Sequence, residues 1–180
     1  MYPDALADLE QRLRLNYDVA DAAVLSAIPA LLAKAVHADP AYRERVLGLA
    51  VKAVMGHAAA YPEDLEMYWE RTWRQSLSTV LTLAEHEYPQ IRRMAVFMLA
   101  DAQYFADDVC LALRSRWLDE PEPLIRLTIL RTVGVLLRHV KQSSRKELFD
   151  WLSGLMRPAS SEIAMAASLA LRGFGRLEGV

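Results

Sequence analysis

The sequence predicts an all-α protein in which helix pairs stack into a right-handed α-solenoid. Helix-breaking prolines recur at Pro40, Pro89, Pro121, Pro123 and Pro158, each leading into a short polar start and an apolar helical run. Between them, apolar residues recur at the three- and four-residue spacing of amphipathic helices. The chain has only seven glycines and eight prolines in 180 residues. A unit that recurs every few tens of residues indicates a repeat architecture.

The apolar spacing and the breakers together predict nine helices. The first four are expected at 4–15, 19–37, 41–57 and 63–86. The fourth has an alternative form that is broken near residue 70, and the remaining five are expected at 90–104, 107–118, 123–140, 145–156 and 160–173.

Residues that favour helix ends support these boundaries. Asp18 is suited to cap the second helix, Pro40 and Pro89 stand at or near the first turn of theirs, and Ser143 or Ser144 precedes the eighth helix. Gly173 and Gly175 are expected to end the last helix.

Paired in order, these helices form four repeats in a single domain over residues 1–180. Residues 1–17 are left over as an N-terminal capping helix. We take Arg43, Arg92, Arg126 and Ala164 as equivalent positions in successive repeats. The interval from Arg43 to Arg92 is then longer than the two intervals that follow it. An insertion at about 57–71 accounts for the difference.

Composition narrows the class of protein. The net charge of −2 argues against a dedicated nucleic-acid binder, which normally carries a basic excess. The single cysteine, Cys110, lies in an apolar helical run and is expected to be a buried, inert thiol. The N-terminus lacks the pattern of a signal peptide, and the sequence holds no apolar run long enough to span a membrane. Together these features favour a cytoplasmic protein.

The second helix of each pair begins with a pattern close to Asp-Pro-x-Val-Arg-x-x-Ala. Residues 91–95 match it well, 125–129 fairly well, 42–46 loosely, and 163–167 without the arginine. On these residues the chain resembles the HEAT-repeat (armadillo-like) family over about 19–174. The resemblance implies the solenoid fold but no particular activity.

In that family the arginine of this pattern commonly stabilises the turn between repeats. The resemblance therefore implies structural roles for Arg43, Arg92 and Arg126. We expect them to pair with acidic turn residues such as Asp39, Glu87 and Glu120.

The resemblance also places the second helices on a concave surface. Residues on their side away from the core stripe mix cations with Met and aromatic side chains, a composition typical of protein interfaces. The candidate partner-binding residues are Arg45, Lys52, Met94, Phe97, Tyr104, Arg131 and Arg138. Second helices are net basic and first helices net acidic, which predicts an acidic or amphipathic partner segment. Three alternatives stay open: the helical phase is shifted by one residue, Phe97 and Leu169 simply pack against the neighbouring helix, or the charges neutralise each other across helix pairs.

Sequence motifs for chemistry are weak. The histidines, His37, His57, His86 and His139, lie far apart, and no HExxH, CxxC or glycine-rich phosphate loop occurs, so no metal, cofactor or catalytic residue is predicted. Some HEAT-like enzymes bind iron through several His-Glu dipeptides, but here only His86-Glu87 occurs. The phycobilin lyases, another HEAT-like branch, offer no motif to match.

HEAT-like DNA glycosylases are a second group of enzymes with which the sequence can be compared. They use a basic groove with aromatics and a carboxylate, for which Trp69, Trp73, Trp117, Trp151 and Asp101 are the available residues. All four tryptophans fall on first helices, where bulky apolar side chains normally fill the core. If the helix at 63–86 breaks near residue 70, Tyr68 or Trp69 would instead protrude as a partner anchor.

The predicted function is therefore a non-enzymatic adaptor or regulatory scaffold that binds another protein on its concave face. One alternative is a nucleic-acid-directed protein of the glycosylase type. Another is a self-assembling subunit that pairs through its last helix, where Ala164, Met165, Ala167, Leu169 and Leu171 leave little charge.

Overall fold

The computed structural model describes residues 3–15, 22–59, 66–157 and 161–173. Over these ranges the chain is helical apart from the turns between helices, and they contain no β-strand. The all-α prediction is confirmed. The chain divides into two compact units, Met1–Leu83 and Ala84–Val180. That residues 1–180 behave as one domain stays a prediction.

The first unit contains α1 (Pro3–Leu15), α2 (Ala22–Ala35), α3 (Pro40–Ala59) and nearly all of α4 (Glu66–Ala84). Helix α3 starts where local chemistry predicts. Pro40 opens the helix, and Asp39 Oδ1 accepts a hydrogen bond from the Tyr42 amide at 3.0 Å, as an N-cap residue does. Helix α2 packs on α3 through residues such as Leu25, Leu32 and Leu47.

Helix α4 is continuous from Glu66 to Ala84, so the regular form predicted for this helix is confirmed and the alternative broken near residue 70 is wrong. Trp69 and Trp73 are both buried, with their rings edge to face at 6.1 Å, and Thr72 Oγ1 donates to the Leu25 carbonyl at 3.0 Å. Burying this face is what keeps the helix regular, and Trp69 does not protrude. The expected Asp18 cap and residues 60–65 of the expected insertion at 57–71 lie outside the described residues.

The second unit contains α5 (Pro89–Met98), α6 (Ala106–Asp119), α7 (Pro123–Leu136), α8 (Gln142–Leu155) and α9 (Ser161–Leu171). Helix α7 lies at its centre and packs against α5, α6 and α9, while α8 packs against α9. The core comes from residues such as Ile129, Leu130 and Val133 of α7. Ala167 and Ala170 are the fully buried residues of α9, because small side chains let α9 approach its neighbours closely.

Helix α5 ends six residues earlier than predicted, at Met98 rather than 104. Two 3₁₀ turns, Leu99–Asp101 and Gln103–Phe105, lead directly into α6. Leu99, Ala102 and Ala106 are buried, and the tighter turn keeps these residues inside. Ala102, with φ −82° and ψ 48°, leaves the helical path.

The ends of α7, α8 and α9 test three further predictions. Helix α7 ends at Leu136 rather than 140, so Arg138 lies in a turn. Helix α8 begins at Gln142, and its N-cap is Lys141 rather than a serine. No side chain caps α8, although the Asp107 carboxylate, at the start of α6, accepts a hydrogen bond from the backbone amide of Lys141 at 3.3 Å. Gly173, at φ 70°, ends α9 as predicted.

Among the residues that the structure describes, no helix is both long and apolar enough to cross a membrane.

Candidate functional site

Four arginines occupy equivalent positions at helix joints. Arg43, at the start of α3, donates to the carbonyl oxygens of Ala35, Val36 and Ala38 at 2.8 to 3.2 Å, and so caps the end of α2. Arg92 donates to the carbonyls of His86 and Glu87 at 2.9 and 2.8 Å. These guanidinium groups supply hydrogen bonds to carbonyls at the end of a helix or in the turn that follows it.

The other two joints follow the same plan. Arg126 donates to the Glu120 carbonyl at 2.6 Å, and its guanidinium lies 5.0 Å from the centre of the Trp117 ring. Arg145 of α8 donates to the Val140 carbonyl at 2.9 Å. Sequence analysis missed Arg145 because it opens a first helix. Its spacing from the preceding turn could have revealed it. Arg145 follows Val140, whose carbonyl it binds, by five residues, and Arg43 follows Ala38, whose carbonyl it binds, by the same number.

The acidic partners differ from those expected. Asp39 caps α3, and Glu87 offers Arg92 only its carbonyl oxygen. Glu120 instead pairs with Arg92, 28 residues away, through two hydrogen bonds of 2.9 and 2.8 Å, and with Arg116 at 2.9 Å. Burial would raise the pKa of Glu120. The hydrogen bonds from Arg92, the Glu122 amide and Arg116 outweigh it and hold the pKa below its ordinary value.

In the first unit, the candidate residues Arg45 and Lys52 lie on an exposed face of α3. Arg45 pairs with Glu10 of α1 at 3.1 and 3.3 Å, and α1 packs on α3. An open cleft of about 170 Å³ is lined by two residues of α1 and four of α3: Glu10, Leu13, Arg45, Gly48, Leu49 and Lys52. Part of the surface predicted for a partner is thus covered by α1. The leucine spacing of α1 was the signal that could have shown this.

In the second unit, two candidate residues from different helices meet. The guanidinium carbon of Arg131, on α7, lies 5.9 Å from the centre of the Phe97 ring on α5. Arg131 is exposed, while Phe97 and Met94 are half-buried. This geometry is a cation–π contact at the surface. The pair joins an aromatic side chain to a charge that faces solvent.

Tyr104 and Arg138 do not lie on the helices that were predicted to carry them. Tyr104 lies on the second 3₁₀ turn with 40% of its surface exposed, and Arg138 lies in the turn after α7. Arg138 Nε donates to His139 Nε2 at 2.9 Å. Burial and the neighbouring Arg138 charge lower the pKa of His139. The predicted helix ends at 104 and 140, which placed Tyr104 and Arg138 on α5 and α7, are therefore wrong.

The last helix leaves two apolar side chains exposed, Met165 at 64% and Leu169 at 41%. Ala167 is buried in the second unit. Pairing of α9 with a second copy stays a prediction.

Groups suited to catalysis are sparse. Cys110 is buried, as predicted, and burial, with a smaller effect of Asp107, raises its pKa to about 12. Across the described ranges, no three His, Cys, Asp or Glu residues are placed to hold a metal ion. Trp69 and Trp73 are buried and cannot stack on a base. Trp117 and Trp151 are half-buried and pack edge to face on each other.

Comparisons with known protein families, with curated proteins and with solved structures find no match to this chain.

Proposed function

We propose that this protein is a non-enzymatic interaction module of the HEAT-like α-solenoid type. It binds an acidic or amphipathic segment of another protein, with Arg131 and Phe97 at the centre of the contact. The lone Cys110, which has no second cysteine to pair with, suits a reducing compartment such as the cytoplasm.

Packing in the second unit supports the solenoid part of the proposal. Second helices α5, α7 and α9 pack in chain order, and first helices α6 and α8 pack on α7 and α9. This is the neighbour-on-neighbour contact of stacked helix pairs. The arginine joints support it as well, because the same side chain closes successive turns.

The observation that carries the binding proposal is the Arg131–Phe97 pair. Arginine and aromatic residues dominate the binding energy of protein interfaces, because a flat ring buries a large area and a guanidinium forms several directed hydrogen bonds. Here the two stack across neighbouring helices, so each holds the other in place before a partner arrives. Such preorganisation lowers the entropy cost of binding.

Helix α1 gives a second line of support. It packs on α3 beside Arg45. Arg45 lies two residues after the repeat arginine of α3, and Met94 lies at the same position in α5. Helix α1 offers buried leucines and a carboxylate. The chain thus already binds one amphipathic, partly acidic helix on this face of a second helix.

The test is affinity capture from the native cytoplasm at low and high salt, with protein and nucleic acid both analysed. Arg131→Glu is compared with Arg157→Glu, which makes the same charge change at an exposed position after α8. We expect Arg131→Glu to reduce capture of a discrete protein at least about tenfold, as loss of an interface hot spot does, and Arg157→Glu to leave it unchanged.

Equal capture by both variants would refute the proposed surface. Recovery of nucleic acid with steep salt dependence would favour the glycosylase-type alternative. Recovery of the chain alone would favour self-assembly.

A further inference from the structure

Among the side chains of α1 that the structure describes, an apolar stripe and an ion pair with Arg45 hold the helix on the first unit. Leu6, Leu9 and Leu13 follow an i, i+3, i+7 spacing and are all buried. Glu10 lies beside this stripe, and its carboxylate accepts hydrogen bonds from Arg45 Nε and from the Arg45 terminal nitrogen. The opposite side of α1 is exposed and carries the Asp8–Arg12 ion pair.

The fit between α1 and α3 is incomplete. The cleft between them runs along α3 from Arg45 past Gly48 to Lys52, two turns further on. Lys52 is exposed, and among the described residues no carboxylate pairs with it. In the sequence, position 14, four residues after Glu10, is an arginine rather than a second carboxylate.

The docking of α1 on α3 is expected to be weak enough for the helix to dissociate. A 13-residue helix is marginal by itself in water, so its order depends on docking. The Arg45–Glu10 pair is partly exposed, with half of the Arg45 side chain open to solvent, and pairs of this kind contribute little to stability. Elements with few contacts to the rest of a unit lie at the low end of local stability, and α1 packs only lightly on α2 and α3.

We propose that the Arg45–Lys52 face of α3 is a receptor for an acidic amphipathic helix of another protein, and that α1 occupies this face until that helix displaces it. The displacing helix carries leucines at the α1 spacing and a second carboxylate beyond the one equivalent to Glu10, so that Lys52 is paired as well as Arg45. Helix α1 is then an autoinhibitory segment. This receptor lies in the first unit and does not depend on the Arg131–Phe97 surface.

The first experiment uses the full chain and a fluorescein-labelled peptide of residues 3–17 that carries Arg14→Glu. Binding is followed by fluorescence anisotropy. Because tethered α1 competes at a high effective concentration, the peptide should bind the unchanged chain weakly. Leu9→Asp in the chain, which weakens α1 docking, should raise the affinity at least about tenfold. Circular dichroism melting shows whether this variant folds, and Glu10→Lys replaces it if it does not.

Two comparisons locate the receptor. Lys52→Glu in the Leu9→Asp chain should lower the peptide affinity by about threefold to fivefold, the scale of one exposed charge pair, and Arg71→Glu on α4 should not. The peptide with its native Arg14 should bind more weakly than the Arg14→Glu peptide by a similar factor. Equal affinities for the unchanged and Leu9→Asp chains, or equal effects of Lys52→Glu and Arg71→Glu, would overturn the proposal.

A measurement on the unchanged chain tests the release of α1 directly. Hydrogen exchange followed by mass spectrometry should show α1 amides exchanging at least about tenfold faster than those of α2 and α3. Protection of α1 equal to that of α2 would overturn the displacement step. A dimer that forms by exchange of α1 between copies would also overturn it, because the occupant would be a second copy. The Arg131→Glu capture experiment is unaffected by any of these results.

Discussion

Substituting Glu120 by Ala should destabilise the second unit more than any other removal of a charge. The Glu120 carboxylate is fully buried and receives hydrogen bonds from Arg92, Arg116 and the Glu122 amide. Its removal leaves Arg92, which is 5% exposed, as a buried charge with half of its partners lost. Breaking a buried pair in this way costs about 3 to 5 kcal/mol.

Urea denaturation of the full chain, followed by far-UV circular dichroism, measures this loss. The matched control is Glu147→Ala, which removes an exposed pair with Arg114 and should cost no more than about 1 kcal/mol. Thermal melting followed by circular dichroism gives a second measure. At about 4 to 8 °C per kcal/mol for a unit of this size, Glu120→Ala should lower the melting temperature of the second unit by more than about 10 °C. A loss equal to that of Glu147→Ala would refute the reasoning that the buried network holds α5, α6 and α7 together.

The same group predicts a pH dependence. Because the folded pKa of Glu120 lies below its ordinary value of 4.5, the carboxylate contributes stability that is fully present above pH 4.5 and is lost as the pH falls through the folded pKa. Glu120→Gln should therefore lose less stability than the unchanged chain as the pH is lowered below 4.5. Parallel stability curves for the two chains would contradict the shift.

The remaining predictions concern the joints, the core and the thiol. Arg43→Met should lower the free energy of unfolding by about 2 to 4 kcal/mol, because three carbonyls lose charged hydrogen bonds. Arg138→Met, at an exposed turn residue, should lower it by less than about 0.5 kcal/mol. Equal urea midpoints for the two variants would contradict the capping role of Arg43. Trp69→Ala should cost about 3 to 5 kcal/mol in the same assay because Trp69 is 1% exposed, and a cost near that of exposed Tyr68→Ala would contradict its core position. Cys110, with a pKa raised to about 12, should not react with a disulfide reagent at pH 8 in the native chain but should react in 8 M urea; rapid native labelling would contradict its burial.

Local signals in the sequence determined much of the secondary structure. Asp39 with Pro40, Pro89, Pro123 and Gly173 act on helix ends within a few residues of themselves, so the helices that they delimit begin or end near the predicted positions. Apolar periodicity likewise predicted the all-α class, because each helix buries a stripe that its own sequence defines.

Contacts between distant residues decided what the sequence alone could not. Helix α5 ends at Met98 because burial of Leu99 and Ala102 favours a tighter turn than the helix would make. Arg92 pairs with Glu120 rather than Glu87, a choice that depends on where α6 ends in space. Local patterns do not contain that information.

The candidate surfaces show the same division. Residue type and spacing marked Arg45, Phe97 and Arg131 as candidates for a partner-binding face. Only the tertiary structure decided that Arg131 stacks on Phe97 and that Glu10 of α1 pairs with Arg45. A sequence determines which side a helix can offer, whereas the packing of other helices decides whether that side is covered or open, because burial depends on neighbours that are remote along the chain.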